Sequence, residues 1–367
     1  MNATIFFPPP YAESKSKRLD YIDFAKAFGM LLIVWGHIRL GDWSNAFVYA
    51  FHIPLFFFMS GMVFSKKRYP DFKSFLLKRV NSLIKPYVVF SVLTWGVWAA
   101  FSYVTHAKVD SYWMPLVETF IAQGSGGFLL HNVPLWFVTC LFVVEIVYYF
   151  LAELKRLWIM VISIVMAAVS YWAINNLECF DITLLPWNIE VAMLAIPFYA
   201  AGHWIVKAKT HQGIMNMVNS HKITTIVLTA VFAYIVYVGS QYNGSISFGH
   251  ADLGKNVFVT YGCGLAGTLM WLIGCILLAD TKINKAGVKL LEWTKWFGRN
   301  SFNAMAIHNP IKGFVCVVVG VALHCGSVAV SANSYYSFIA FLLTLVVTVI
   351  GMVFINWFKS KISRKEK

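Results

Sequence analysis

Ten apolar runs, each of about 20 residues, recur along the chain and leave little choice of fold. They fall near 23–40, 45–65, 87–106, 134–154, 157–175, 188–206, 223–240, 257–279, 300–324 and 336–358. Runs of this length cross the hydrocarbon of a bilayer as helices, which satisfy their own backbone hydrogen bonds where no water is available. The expected fold class is therefore all-α, a polytopic integral membrane protein of about ten transmembrane helices. Composition agrees, since only 13% of the 367 residues are charged, whereas a soluble domain carries about 25%. The net charge of +14 would suit a nucleic-acid binder if it were concentrated. Here the basic residues are dispersed among short loops, so no nucleic-acid partner is expected.

The same basic residues set the topology. If the N-terminal tail is cytoplasmic, 26 of the 30 Lys and Arg fall on that side, leaving Arg39, Lys108, Lys255 and Lys312 for the other. Such asymmetry requires an even number of spans and places both termini in the cytoplasm. The segment Met1 to Arg18 is polar and contains Pro8, Pro9 and Pro10. It lacks the apolar core of a signal peptide, so the first span acts as its own insertion signal. The expected organisation is a cytoplasmic tail at 1–20, one transmembrane domain at 21–358 and a basic cytoplasmic tail at 359–367. Residues 66–86 read as a basic, amphipathic interfacial segment. Within the outer connection 107–133, Tyr112 to Ala122 reads as a short re-entrant or interfacial helix. The cysteines show no metal-ligand spacing, so no metal is expected. A Cys179–Cys325 disulfide is conceivable on topology but not expected.

The first span carries the chemistry. Asp23, Lys26 and His37 share one stripe: Lys26 lies three residues after Asp23, and His37 follows eleven residues later, three helical turns plus about 20°. At 1.5 Å per residue, roughly 16 Å separate Lys26 from His37, so one end of the stripe lies near a membrane face and the other well inside. Ionisable groups inside a span cost about 2.5–3.5 kcal/mol each on insertion scales and usually face a partner or a cavity. Asp23 is expected to pair with Lys26. In the second span His52 falls at a depth similar to His37 if the two spans form a hairpin turning near 42–43. Glu145, mid-way through the fourth span, has two readings: it orients His37 or an acceptor, or it ties two helices together.

The segments Tyr21-Ile22-Asp23-Phe24-Ala25-Lys26 to Gly36-His37 and Phe51-His52-Ile53-Pro54-Leu55-Phe56-Phe57-Phe58-Met59-Ser60-Gly61 resemble the opening of the type 3 membrane acyltransferase family, closest to its fucose-O-acetylase-like branch of polysaccharide O-acetyltransferases. Three later blocks are similar in order: Lys78-Arg79 to Pro86-Tyr87, Pro134-Leu135-Trp136-Phe137 with Glu145, and Phe297-Gly298-Arg299-Asn300-Ser301-Phe302 to His308. Asn243-Gly244-Ser245-Ile246-Ser247 is a weaker match.

The resemblance implies transfer of an acetyl group from cytoplasmic acetyl-CoA, a co-substrate, to a hydroxyl of an extracytoplasmic or lipid-linked glycan. Its partners would be acyl-CoA, the glycan acceptor and membrane lipid, and its location a cell membrane, the bacterial inner or plasma membrane. By resemblance, His37 is the catalytic base, with Lys26 and Asp23 on its stripe; many members carry Arg where this chain has Lys26, which keeps the charge but loses the planar fork. Arg79 matches the first of a paired-Arg motif whose second position is Ser82, so Lys78 and Lys85 are expected to share the binding of CoA phosphates. His52, Trp136, Glu145, Asn303 and His308 are expected near the substrates, the last two and Trp136 as candidate oxyanion donors. A proton-coupled secondary transporter is the rival reading, since ten spans with intramembrane His, Lys and Glu and prolines at 54, 197 and 310 would also suit broken helices.

Overall fold

The computed structural model describes residues 20–125, 127–176, 185–279 and 285–365, with backbone alone at 285–288 and 362–365. The tail before Asp20 and Cys179 lie outside them. The described residues form sixteen α-helices and no strand. In order these are α1 (Asp20–Ile38), α2 (Asp42–Tyr49), α3 (His52–Val63), α4 (Phe72–Arg79), α5 (Lys85–Val104), α6 (Met114–Ile121), α7 (Trp136–Leu151) and α8 (Arg156–Asn176). There follow α9 (Ile189–Lys207), α10 (Thr210–Ser220), α11 (Lys222–Asn243), α12 (Val257–Ala279), α13 (Lys285–Arg299), α14 (Ser301–Ala322), α15 (Ser327–Ala332) and α16 (Ser334–Lys365). Among the described residues, ten helical stretches are long and apolar enough to cross a membrane. The chain is an all-α polytopic membrane protein.

Two elements differ from the sequence expectation. Residues 66–86 do not form a separate interfacial helix. A 3-10 turn occupies Lys66–Arg68, and from Phe72 one rod runs through α4, a π-turn at Val80–Ile84 and α5. Asp71 starts it: its Oδ1 accepts the Ser74 backbone N–H at 2.7 Å, and hydrogen bonds from Ser74 hold its carboxyl below the usual range. The amphipathic pattern arises because the basic face belongs to the first turns of a spanning helix. The second span, conversely, is interrupted at Ala50–Phe51 into α2 and α3. Prolines 197 and 310 do not break their helices, since α9 and α14 run through both. The short helix expected within 112–122 is α6.

The chain divides into two compact units. Unit 1 comprises residues up to Val48, Ile214–Tyr234 and Leu269 onward. In it α1 packs against α13, α14 and α16, and α14 against α15 and α16. Val34 and Ile38 of α1 bury themselves against Phe341, and Val315, Cys316 and Val319 pack with Val330 and Ala340. Unit 2 comprises Tyr49–Gly213 and Ile235–Thr268. Its centre is α9, packed on α3, α7 and α8. Helices α3 and α9 touch backbone to backbone: a methyl group on Gly61 would collide with the Tyr199 carbonyl, and one on Gly202 with that of Phe58. Small residues allow this approach where no hydrophobic force separates helix from lipid.

Candidate functional site

Within unit 1 the end of α1 meets the first half of α14. The His37 and His308 rings lie 5.3 Å apart, centroid to centroid. His308 is fully buried. Its Nδ1 stands 2.8 Å from the Met305 carbonyl oxygen and 3.2 Å from that of Ala304. Two carbonyls can only accept, so Nδ1 carries the proton and Nε2 is the lone-pair nitrogen. Nε2 has no hydrogen-bond partner. His37 is half-buried. One turn beyond His308, Lys312 Nζ approaches the His37 carbonyl oxygen at 3.5 Å. The end of α1 thus carries two imidazoles and an ammonium in one locality.

The other end of the stripe is held from α13. Whatever Lys26 contributes, Asp23 has a partner the sequence did not suggest: Arg299 Nε donates to its Oδ2 at 2.9 Å. Gly298 makes this reach short, since a Cβ there would collide with the Asp23 carbonyl oxygen. One turn earlier, Lys295 pairs with Asp20 at 3.1 Å and Glu292 at 2.6 Å. Burial works against its charge, but hydrogen bonds and attraction from these two carboxylates prevail and raise its pKa. Beyond Arg299, the Asn300 side chain accepts from Asn356 Nδ2 at 3.0 Å, and Asn303 Oδ1 accepts from Lys359 Nζ at 3.3 Å. Asn303 is therefore tied to α16. With the proton on Nδ1, His308 has no N–H to offer at Nε2, which disfavours it among the three candidate oxyanion donors.

Unit 2 gathers the remaining predicted residues in different settings. Arg79 Nε stands 3.0 Å from Glu145 Oε2, and Arg79 Nη2 donates to the Tyr69 hydroxyl at 3.2 Å. The Tyr199 hydroxyl donates to Glu145 Oε1 at 3.4 Å. Glu145 thus joins α7 to α4 and α9, which is the second of its two sequence readings; an ionised carboxylate mid-span needs such a partner. Lys78, Ser82 and Lys85 are exposed on the same rod. His52 opens α3 with its ring edge-on to Tyr49 at 4.9 Å. Trp136 is buried, its indole against Gly124 and Gly249.

The sequence reading missed Arg299 and Lys312 as neighbours of the α1 stripe. Arg299 had a signal, since it sits in the Gly-Arg-Asn-Ser block. Lys312 had one as well: it lies four residues after His308, hence on the same helical face.

A multi-pass helical membrane protein with paired intramembrane histidines and a cationic helix leading into a span is the class this arrangement defines. A family model described as an acyltransferase domain matches residues 19–357, and the chain belongs to this family of membrane acyltransferases. No curated protein and no solved structure matched in the corresponding comparisons.

Proposed function

We propose that this acyltransferase moves an acetyl group from acetyl-CoA to a hydroxyl of an extracytoplasmic or lipid-linked glycan, with His37 as general base. The observation that carries the reading is the His37–His308 pair at the end of the charged α1 stripe. A sugar hydroxyl is a poor nucleophile at neutral pH and needs a positioned base, a task suited to neutral imidazole. His37 takes the hydroxyl proton as the oxygen attacks the thioester carbonyl. The tetrahedral intermediate then collapses, the C–S bond breaks, and the CoA thiolate leaves and recovers the proton from His37. The Lys312 ammonium, 3.5 Å from the His37 carbonyl oxygen, is assigned to steady the oxyanion. His308 Nε2 offers an acceptor to the imidazolium that forms on His37.

On the cationic rod, exposed Lys78 and Lys85 are assigned to the CoA phosphates, with Ser82 between them and Arg79 committed largely to Glu145. Both termini are assigned to the cytoplasm and the protein to a bacterial inner or plasma membrane, because the basic residues collect on one set of loops. The test is release of CoA from radiolabelled acetyl-CoA, with label moving to a glycan, by the purified protein in nanodiscs. His37→Ala is expected to lower transfer by about 10²–10⁴-fold, the usual worth of a positioned acid–base group, while leaving expression intact. Transfer that survives this substitution would move the base elsewhere.

A further inference from the structure

Within unit 2, α8 and α9 pack on each other. Arg156 is the first residue of α8 and Lys207 the last of α9. Both reach the indole of Trp204, one turn before the end of α9. Lys207 Nζ stands 4.4 Å from the centroid of that ring, and the guanidinium carbon of Arg156 5.7 Å. The ring quadrupole attracts each cation and so holds the two side by side. Both basic side chains are exposed.

This pair has no counter-charge. Among the described residues neither Arg156 nor Lys207 makes an ion pair. Glu153, three positions before Arg156, is taken by Lys66 at 2.7 Å. Trp204 Nε1 is covered and has no hydrogen-bond partner. A guanidinium, an ammonium and an indole N–H thus meet, and all three can only donate. Helix stability does not account for Arg156 either. A cation at the first position of a helix meets the positive end of its dipole, where an anion is favoured.

Next to the basic pair the surface of α8 turns apolar. Leu157, Val161 and Ile164 recur at helical spacing and are 68%, 40% and 58% exposed. Only 22% of this span is buried inside the protein. Positive charge at the end of a span, continued by an exposed apolar stripe, matches a molecule with an anionic head and a long hydrocarbon tail.

We propose that Arg156 and Lys207, held on Trp204, bind the headgroup of an anionic phospholipid whose acyl chain lies along Leu157, Val161 and Ile164. The direct contacts of the headgroup are with the two exposed side chains, the planar fork of Arg156 and the ammonium of Lys207, both suited to phosphate oxygens. Basic sites between spanning helices recognise lipid headgroups on these terms. The phosphates of acetyl-CoA share the charge but carry no long hydrocarbon chain, so the apolar stripe favours lipid. The inference does not depend on the acyl-transfer reading.

The experiment is native mass spectrometry of the full chain in detergent, titrated with dioleoyl phosphatidylglycerol or with dioleoyl phosphatidylcholine, which has the same chains and no net charge. Two basic side chains near the membrane surface correspond to about a thirtyfold preference for the anionic lipid. The double variant Arg156→Gln, Lys207→Gln alters exposed positions outside any ion pair and is expected to abolish that preference. Lys67→Gln, at an exposed basic position on another connection, is expected to keep it. Equal retention of the two lipids by wild type, an undiminished preference in the double variant, or an equal loss in Lys67→Gln overturns the site. A parallel titration with acetyl-CoA separates the two sources of phosphate. Its affinity is expected to be the same in wild type and the double variant. Loss of acetyl-CoA binding together with the lipid preference would give the cluster to CoA and overturn the lipid site.

Discussion

Arg299 Nε lies 2.9 Å from Asp23 Oδ2, joining a half-buried guanidinium to a buried carboxylate 276 positions away. The first charge of the α1 stripe therefore has a partner on α13. Removing one partner of a buried pair strands the other, at a cost of about 3–5 kcal/mol. Arg299→Ala is expected to lower the thermal midpoint in detergent well below that of the Asp23→Leu, Arg299→Leu double variant, which removes both charges of the pair. A single variant as stable as wild type would mean that the pair contributes nothing to the packing of α1 on α13.

Arg79 and Glu145 pose the same problem in unit 2, with a functional consequence. Arg79→Ala is expected to impair folding first, by a similar few kcal/mol, so a loss of activity there says little about CoA. Lys78→Ala and Lys85→Ala remove exposed charges and spare that pair. Each is expected to raise the KM for acetyl-CoA several-fold, more at low than at high salt, with little change in kcat or thermal midpoint. A salt-independent KM equal to wild type in both variants would remove the rod from the CoA site.

The sequence made the spans legible because bilayer thickness sets their length and a charge within them is conspicuous. His37, His308 and Glu145 stood out for that reason. What it could not supply was pairing. Local spacing points from Asp23 to Lys26 three positions away, but not to Arg299, which comes from a helix hidden among polar connecting residues. Residues 285–299 lack a long apolar run, so apolar length does not reveal α13 even though its Gly-Arg-Asn-Ser end is conspicuous. The start of the third span was placed too late because Lys73, Lys78, Arg79 and Lys85 interrupt its apolar count. The hydrogen bonds that join Gln123 to Glu190 and Asn188 left no signal, since single amides on two separate connections look like ordinary loop residues.

The tautomer of His308 yields a cleaner test of the paired imidazoles. His308→Phe keeps a planar ring of similar size in a fully buried position and deletes the Nε2 lone pair. If that lone pair supports the imidazolium formed on His37, kcat falls by about a hundredfold, at the low end of the range for acid–base groups. The KM for acetyl-CoA and the thermal midpoint are expected to stay near wild type. A variant with unchanged kcat would reduce His308 to a helix-packing residue.

His131 supplies a pH dependence whose sign is fixed by burial. It lies in the loop before α7, and desolvation lowers its pKa from the ordinary 6.5 to about 4. Between those values the unfolded loop binds a proton that the folded loop does not. Stability is therefore full above pH 6.5 and is lost as the pH falls toward 4, by roughly 3 kcal/mol at the lower end. Hydrogen exchange of peptides covering 127–136 is expected to accelerate over that window, after correction for the intrinsic pH dependence of exchange. His131→Phe removes the titrating group, and its protection over the same segment should change little with pH. Equal pH dependence in both proteins would show that His131 is not held neutral by burial.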